Sequence, residues 1–267
     1  MTNSSYSHPV AQLLSLDPPR TPRADWLDYT ALGISPEDTP ELIRMSLDDK
    51  LRTAPSDAPE VFGPIHAWRA LGQLRAASAA KPLLEMLDAH PDNDWVNEEL
   101  PGVFTMFGSS ILPALVSFLN DSERDISARI TVSHAMQEIA VAEPDQRDEV
   151  VSALSHQLSK WYRNSEWLNG FLVSYLLDLG ATESAPLMEE AFQADRVDEL
   201  ICGDWEDVQI ELGLSSERQT PPRRPDFWPE LPGPEPRPVT RAAAPRKPTA
   251  KAKRKAARAA RKHNRRK

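Results

Sequence analysis

Between residues 25 and 214 apolar side chains recur at helical spacing almost without a break. The clearest pattern places them at relative positions 1, 5, 8, 9 and 12, as in Val96, Leu100, Val103, Phe104 and Phe107. It returns as Ala128, Val132, Ala135, Met136 and Ile139, and as Leu168, Leu172, Tyr175, Leu176 and Leu179. A looser version runs through Ala67, Ala70, Leu71 and Leu74. Such spacing lays one apolar stripe along an α-helix. With this periodicity almost throughout, the chain reads as all-α.

A second, shorter element separates these helices. It opens on proline and closes on Asp, in PELIRMSLD (40–48), PLLEMLD (82–88), PALVSFLND (113–121) and PLMEEAFQAD (186–195). Proline suits a first helical turn, where its missing N–H has no bond to make. The stripes start at 63, 96, 128 and 168, so helix pairs repeat every 33, 32 and 40 residues. The long third step reflects DEVVSALSHQLSKWYR (148–163), where a longer helix replaces the proline-initiated one. Gly72, Gly108 and Gly180 fall where glycine caps belong. Asp94-Trp95, Glu166-Trp167 and Asp204-Trp205 read as helix starts. Their acids suit exposed N–H groups, and their indoles are expected to cover the joint with a neighbouring pair.

This alternation, with Ala-x-x-Ala-Leu-Gly in AWRALGQL (67–74) and small-Arg-x-x-apolar-x-x-Ala in ARITVSHAMQEI (128–139), resembles the HEAT-like repeats, and most of all the bacterial phycobilisome-lyase type. Arg129 stands on the family's Arg position; Asn97 and Asn169 stand there in other pairs, and Pro101 interrupts the second. The resemblance covers residues 38–214. It implies a right-handed α-solenoid of about five helix pairs, in which stacking buries stripes that no pair could bury alone. Some members act as bilin lyases or isomerases beside a second repeat protein, which leaves an accessory enzyme subunit as a remote reading. A fold of this kind hosts many functions and names none.

Composition divides the chain further. Residues 1–24 hold Pro9, Pro18, Pro19 and Pro22 and few large apolar groups, and are expected to form a disordered arm. Ten prolines lie between Pro221 and Pro248, marking 215–245 as a linker, and 246–267 is a Lys/Arg/Ala tail. The net charge of −9 hides a division: 14 of the 31 basic residues follow Glu235, the last of 40 acids. The body is therefore strongly acidic and the end strongly basic. The stretch before Pro18 lacks a basic region and carries Asp17, so it does not read as a signal peptide. No apolar run is long enough to span a membrane. The single Cys202 excludes a disulfide framework and points to a reducing cytoplasm.

Candidate chemistry is sparse. No metalloprotease, nucleophile-elbow or phosphate-loop motif occurs. HPDNDWVNEE (90–99) gathers a histidine and acids, but reads better as a turn with its helix cap. No catalytic residue, cofactor or metal is assigned. A partner is expected on the concave face of the solenoid, at the outward positions of the second helices: Trp68, Arg69, Asn97, Glu98, Arg129, His134 and Asn169. For Trp68 the competing reading is that it covers one end of the core.

Phe227, Trp228 and Leu231 are isolated apolar groups in the linker and suit docking into a groove, on this chain or on another protein. Lys251, Lys253, Arg254, Lys255, Arg258, Arg261, Lys262, Arg265, Arg266 and Lys267 carry no aromatic among them. They would hold RNA or DNA through phosphates alone, independently of base sequence. The same charges could instead fold onto the acidic body, or only keep the chain in solution. The acidic body speaks against a HEAT-like DNA glycosylase. The expected function is a non-enzymatic scaffold or adaptor, with a nucleic-acid-associated protein as the alternative.

Overall fold

A computed structural model describes residues 6–20 and 23–221. Among them every regular element is helical. The α-helices are α1 (Thr39–Ser46), α2 (Asp49–Arg52), α3 (Gly63–Gln73), α4 (Ala80–Ala89), α5 (Asp94–Phe107), α6 (Leu112–Asn120), α7 (Ile126–Ala142), α8 (Arg147–Leu158), α9 (Glu166–Asp178), α10 (Ala185–Gln193), α11 (Glu199–Cys202) and α12 (Trp205–Glu211). The chain clusters into two units that meet in sequence at Gln157 and Leu158. No single helix among the described residues is long and apolar enough to cross a membrane.

In the first unit the long helices lie side by side, α5 between α3 and α7, with α1 against α3. The short α4 and α6 pack on each other and on the long helices, so that they form a second layer. The stripe residues explain this. Val96, Leu100, Val103, Phe104, Ala128, Val132, Ala135, Met136 and Ile139 are all fully buried. At roughly 25 cal/mol per Å² a buried Leu or Phe contributes on the order of 2 kcal/mol. In the second unit Leu168, Leu172 and Leu176 are equally buried; α9 packs on α11, and α10 on α12.

Short 3-10 turns lead into each proline-initiated helix, at Pro36–Asp38, Ala77–Ala79, Ser109–Ile111 and Thr182–Ser184, with Pro40, Pro82, Pro113 and Pro186 in the first helical turn. The long replacement helix expected within 148–163 is α8, with 12 residues.

Several local expectations shift. Asn93, not Asp94, caps α5 by accepting from Val96 N–H, whereas Asp204 caps α12 as expected by accepting from Asp207 N–H. Gly108 and Gly180 both take the positive φ that glycine permits, but after α3 that role falls to Arg75, and Gly72 sits inside the helix beside Met106. Pro101 does not break α5, which runs through it. Of the three helix-start tryptophans, Trp205 packs on Phe192 of α10 and Trp167 on Phe171 of its own helix, while Trp95 is exposed.

The largest correction concerns the N-terminus. The prolines of residues 1–24 suggest a disordered arm, yet from Tyr6 onward the described part of it is seated. Val10 and Leu13 share one side of a 3-10 helix (Val10–Ser15) and are fully buried against the region of Pro59–Phe62 and α3. Tyr6 donates its hydroxyl to Asp48, and Ser7 binds Glu41. Composition undercounts such a segment because a few apolar groups suffice when a formed surface receives them.

At the other end, Arg218 folds back onto the acids that open α12, pairing with Asp204 and Asp207 and lying near Glu206. Glu206 also accepts from the backbone N–H groups of Gln219 and Thr220. Phe227, Trp228, Leu231 and the ten basic tail residues lie outside the described residues.

Truncating a stripe residue removes buried contacts and leaves a void. Phe104→Ala and Leu172→Ala should each cost about 3–4 kcal/mol in urea denaturation, and exposed Val141→Ala should cost far less.

Candidate functional site

The polar residues of the long helices fall into two sets with different duties. The first repeats at relative position 2. Arg129 on α7 donates through Nε to the carbonyl of Leu119, at the end of α6. Asn97 on α5 donates to the carbonyl of Pro91, just beyond α4. Asn169 on α9 donates to Trp161, just beyond α8, and to Arg196. Each therefore satisfies carbonyls left open where a helix ends. Arg129 and Asn169 are buried, and Asn97 also accepts from Thr131 on the next helix. Three expected partner contacts are thus internal staples between helices. A polar group at this position looks outward in a helical projection; in the folded chain it faces the end of the preceding helix.

The second set forms a face across α3, α5 and α7. Arg69 is 1% exposed and meets Glu99 of α5 in a two-point pair, with Nε 2.7 Å from Oε2 and Nη2 2.5 Å from Oε1. Its remaining nitrogen, Nη1, donates to the carbonyl of Arg20 at 3.0 Å. The Trp26 ring covers the guanidinium, 4.3 Å from its central carbon. Arg69 was expected to point at solvent; it is buried because the chain's own N-terminal segment lies on it. Trp68 is likewise buried, 2% exposed, which fits the packing alternative. Glu98 is exposed, and half-buried His134 lies 3.5 Å from Glu138.

Residues missed in the sequence complete the face. His66, Arg69 and Gln73 stand at i, i+3 and i+7 on α3, hence on one side of it. All three hold backbone of the segment before α1. The His66 Nε2–H donates to the carbonyl of Asp17 at 3.0 Å, and its Nδ1 accepts from the Tyr29 hydroxyl at 2.7 Å. A carbonyl can only accept, so these partners fix the neutral tautomer. Gln73 donates to the carbonyl of Leu27 and accepts from Tyr29 N–H.

Farther along, Arg23 reaches Glu138 of α7 at 2.8 Å, with Thr105 of α5 on the same carboxylate oxygen at 3.1 Å. It crosses α5 at Gly102, where a Cβ would come within 2.3 Å of its guanidinium. Arg69, Gly102 and His134 share relative position 7 on the three helices, so the arginine from the segment fills the place of the side chain that α5 lacks.

Burial pushes the His66 pKa down to about 4, with the positive Arg69 adding to the effect. Burial also raises the Tyr29 hydroxyl. For Glu138 burial acts upward, but His134, Arg23 and Thr105 outweigh it and hold the carboxyl below its usual range. The arrangement grips backbone carbonyls on either side of a single 3-10 turn, Arg23–Asp25, and keeps one carboxylate charged for an arginine. Elsewhere, residues 90–99 form the expected turn and cap, and Cys202 is buried. No group of three or more metal-ligating side chains occurs among the described residues.

Comparison of the chain with protein-family models, with curated proteins and with solved structures finds no match.

Two outcomes follow from these contacts. Glu99→Ala strands a buried guanidinium and should cost about 3–5 kcal/mol in denaturation; Arg69→Met with Glu99→Leu should recover much of that. His66 is neutral in the folded chain but protonates near pH 6.5 when unfolded. The unfolded state therefore binds the extra proton between those values, and stability should fall by about 2 kcal/mol from pH 7 to pH 5. In His66→Asn that His-dependent part of the slope should disappear.

Proposed function

We propose that this chain is a protein-interaction scaffold made of HEAT-like helix pairs, arranged as a right-handed α-solenoid of about five pairs. Its partner lies as an extended segment across α3, α5 and α7. The observation that carries this reading is the line His66, Arg69 and Gln73, which takes up the carbonyls of Asp17, Arg20 and Leu27. Side chains from a rigid helix that bind backbone accept many sequences, while pockets beside them select a few. The recurring staples at Asn97, Arg129 and Asn169 support the repeat reading, because one register serves three successive pairs. The buried lone cysteine suits a cytoplasmic setting.

A photo-crosslinking residue at exposed Glu98 should capture partner peptides, whereas the same residue at exposed Lys81 on α4 should not. Equal capture at both positions, or capture at Lys81 alone, refutes the assignment of the face.

The run of 14 basic residues after Glu235 supports a second reading, polyanion binding by the tail. If about 8 charges engage duplex phosphates, binding should weaken with salt at a log-log slope near −7. A chain ending at residue 236 should lose that binding; retention would assign it to the body.

A further inference from the structure

The segment seated on the α3–α5–α7 face has a second copy in the sequence. Arg23-Ala-Asp-Trp26 holds the face, and Arg224-Pro-Asp-Phe227 repeats its order: arginine, any residue, aspartate, aromatic. The pattern occurs at these two places in the chain and nowhere else. Each copy has a further apolar group downstream, Leu27 in the first and Leu231 in the second. The second copy lies beyond Pro221, outside the described residues.

The seated copy shows what the face recognises. Its arginine takes a charged carboxylate, Glu138, through the gap above Gly102. Its aromatic ring lies flat on Arg69, whose guanidinium plane is held in place by Glu99. A guanidinium so clamped offers a planar, positively charged platform that any aromatic ring can cover. Arg224 and Phe227 have the same i, i+3 spacing as Arg23 and Trp26 and supply the same two groups.

The seated copy is also built to be replaced. Arg23 is exposed outside its contact with Glu138, Trp26 is half-buried, residues 16–20 form no helix, and Arg23–Asp25 make a single 3-10 turn. Firm burial begins only at its flanks, with Leu13 on one side and Tyr29 on the other. The stretch between could leave the face while both anchors stay in place.

We propose that the α3–α5–α7 face is a docking site for an arginine-x-x-aromatic segment, that Arg23–Trp26 is its resident occupant, and that Arg224–Phe227 is the segment that competes for it. The proposal rests on the reading of this face as the interaction surface and names the chemistry it selects. Exchange would uncover the N-terminal segment.

The test uses the full chain and a fluorescein-labelled synthetic peptide of residues 220–233. In one protein Arg23→Ala and Trp26→Ala empty the face, and Arg224→Ala and Phe227→Ala remove the chain's own competitor. This protein should bind the peptide at least tenfold more tightly than the unsubstituted chain in fluorescence polarisation. A peptide bearing Arg224→Ala and Phe227→Ala should bind at least tenfold more weakly. Adding Gly102→Ala to the emptied protein places a methyl group where either arginine must pass. It should weaken binding at least tenfold, because the guanidinium must shift to pass it, without lowering the circular-dichroism melt of the emptied protein, because alanine favours a helix. Equal peptide affinity with and without Gly102→Ala, or no preference for the native peptide over the substituted one, overturns the proposal. Partner capture at Glu98 together with no peptide binding would leave the interaction surface standing and remove this segment from it.

Discussion

A buried guanidinium organises the first unit. Arg69 belongs to α3, its carboxylate partner Glu99 to α5, its third acceptor to Arg20 and its covering ring to Trp26. Taking such a pair out of water costs several kcal/mol per ion and is offset only when nearly every donor finds an acceptor. That requirement ties the elements together. The two helices must keep their register for the two-point contact, and a segment must lie across them to exclude water, as the N-terminal one does here. Interior charge of this kind adds little net stability compared with an apolar pair, but it penalises every arrangement in which one partner is misplaced.

The staples at relative position 2 impose a similar condition at each joint. A helix that ends inside a packed layer leaves backbone groups without a partner within the helix. Arg129, Asn97 and Asn169 solve that problem at three joints with two different side chains, each reaching as far as its own gap requires. The substitution of Asn for Arg between repeats is therefore a change of reach with the duty conserved.

The stripes were legible from spacing because burying them requires only a period of 3.6 residues, which the sequence displays directly. Val96 to Phe107 and Ala128 to Ile139 read as helices and are helices. The prolines of the short helices were legible for the same local reason. What spacing conceals is the identity of whatever covers the opposite side. Arg69 and Asn169 look like solvent-facing groups on a helical wheel, and both are buried beneath chain distant in sequence. The polar line His66, Arg69, Gln73 was visible as an i, i+3, i+7 series on an otherwise apolar helix. Its meaning lay in Asp17, Arg20 and Leu27, residues whose contribution is a backbone carbonyl and therefore leaves no mark on the side-chain pattern. Gly102 was hidden for a related reason, since its importance lies in the room it leaves.

One carboxylate near the end of the described chain performs two tasks. Asp204 receives the N–H of Asp207 in the first turn of α12 and also both terminal nitrogens of Arg218. Fraying of that turn and release of residues 215–221 therefore draw on the same group. They form a single latch, closed or sprung as a whole, and their amides belong to one cooperative opening in hydrogen exchange.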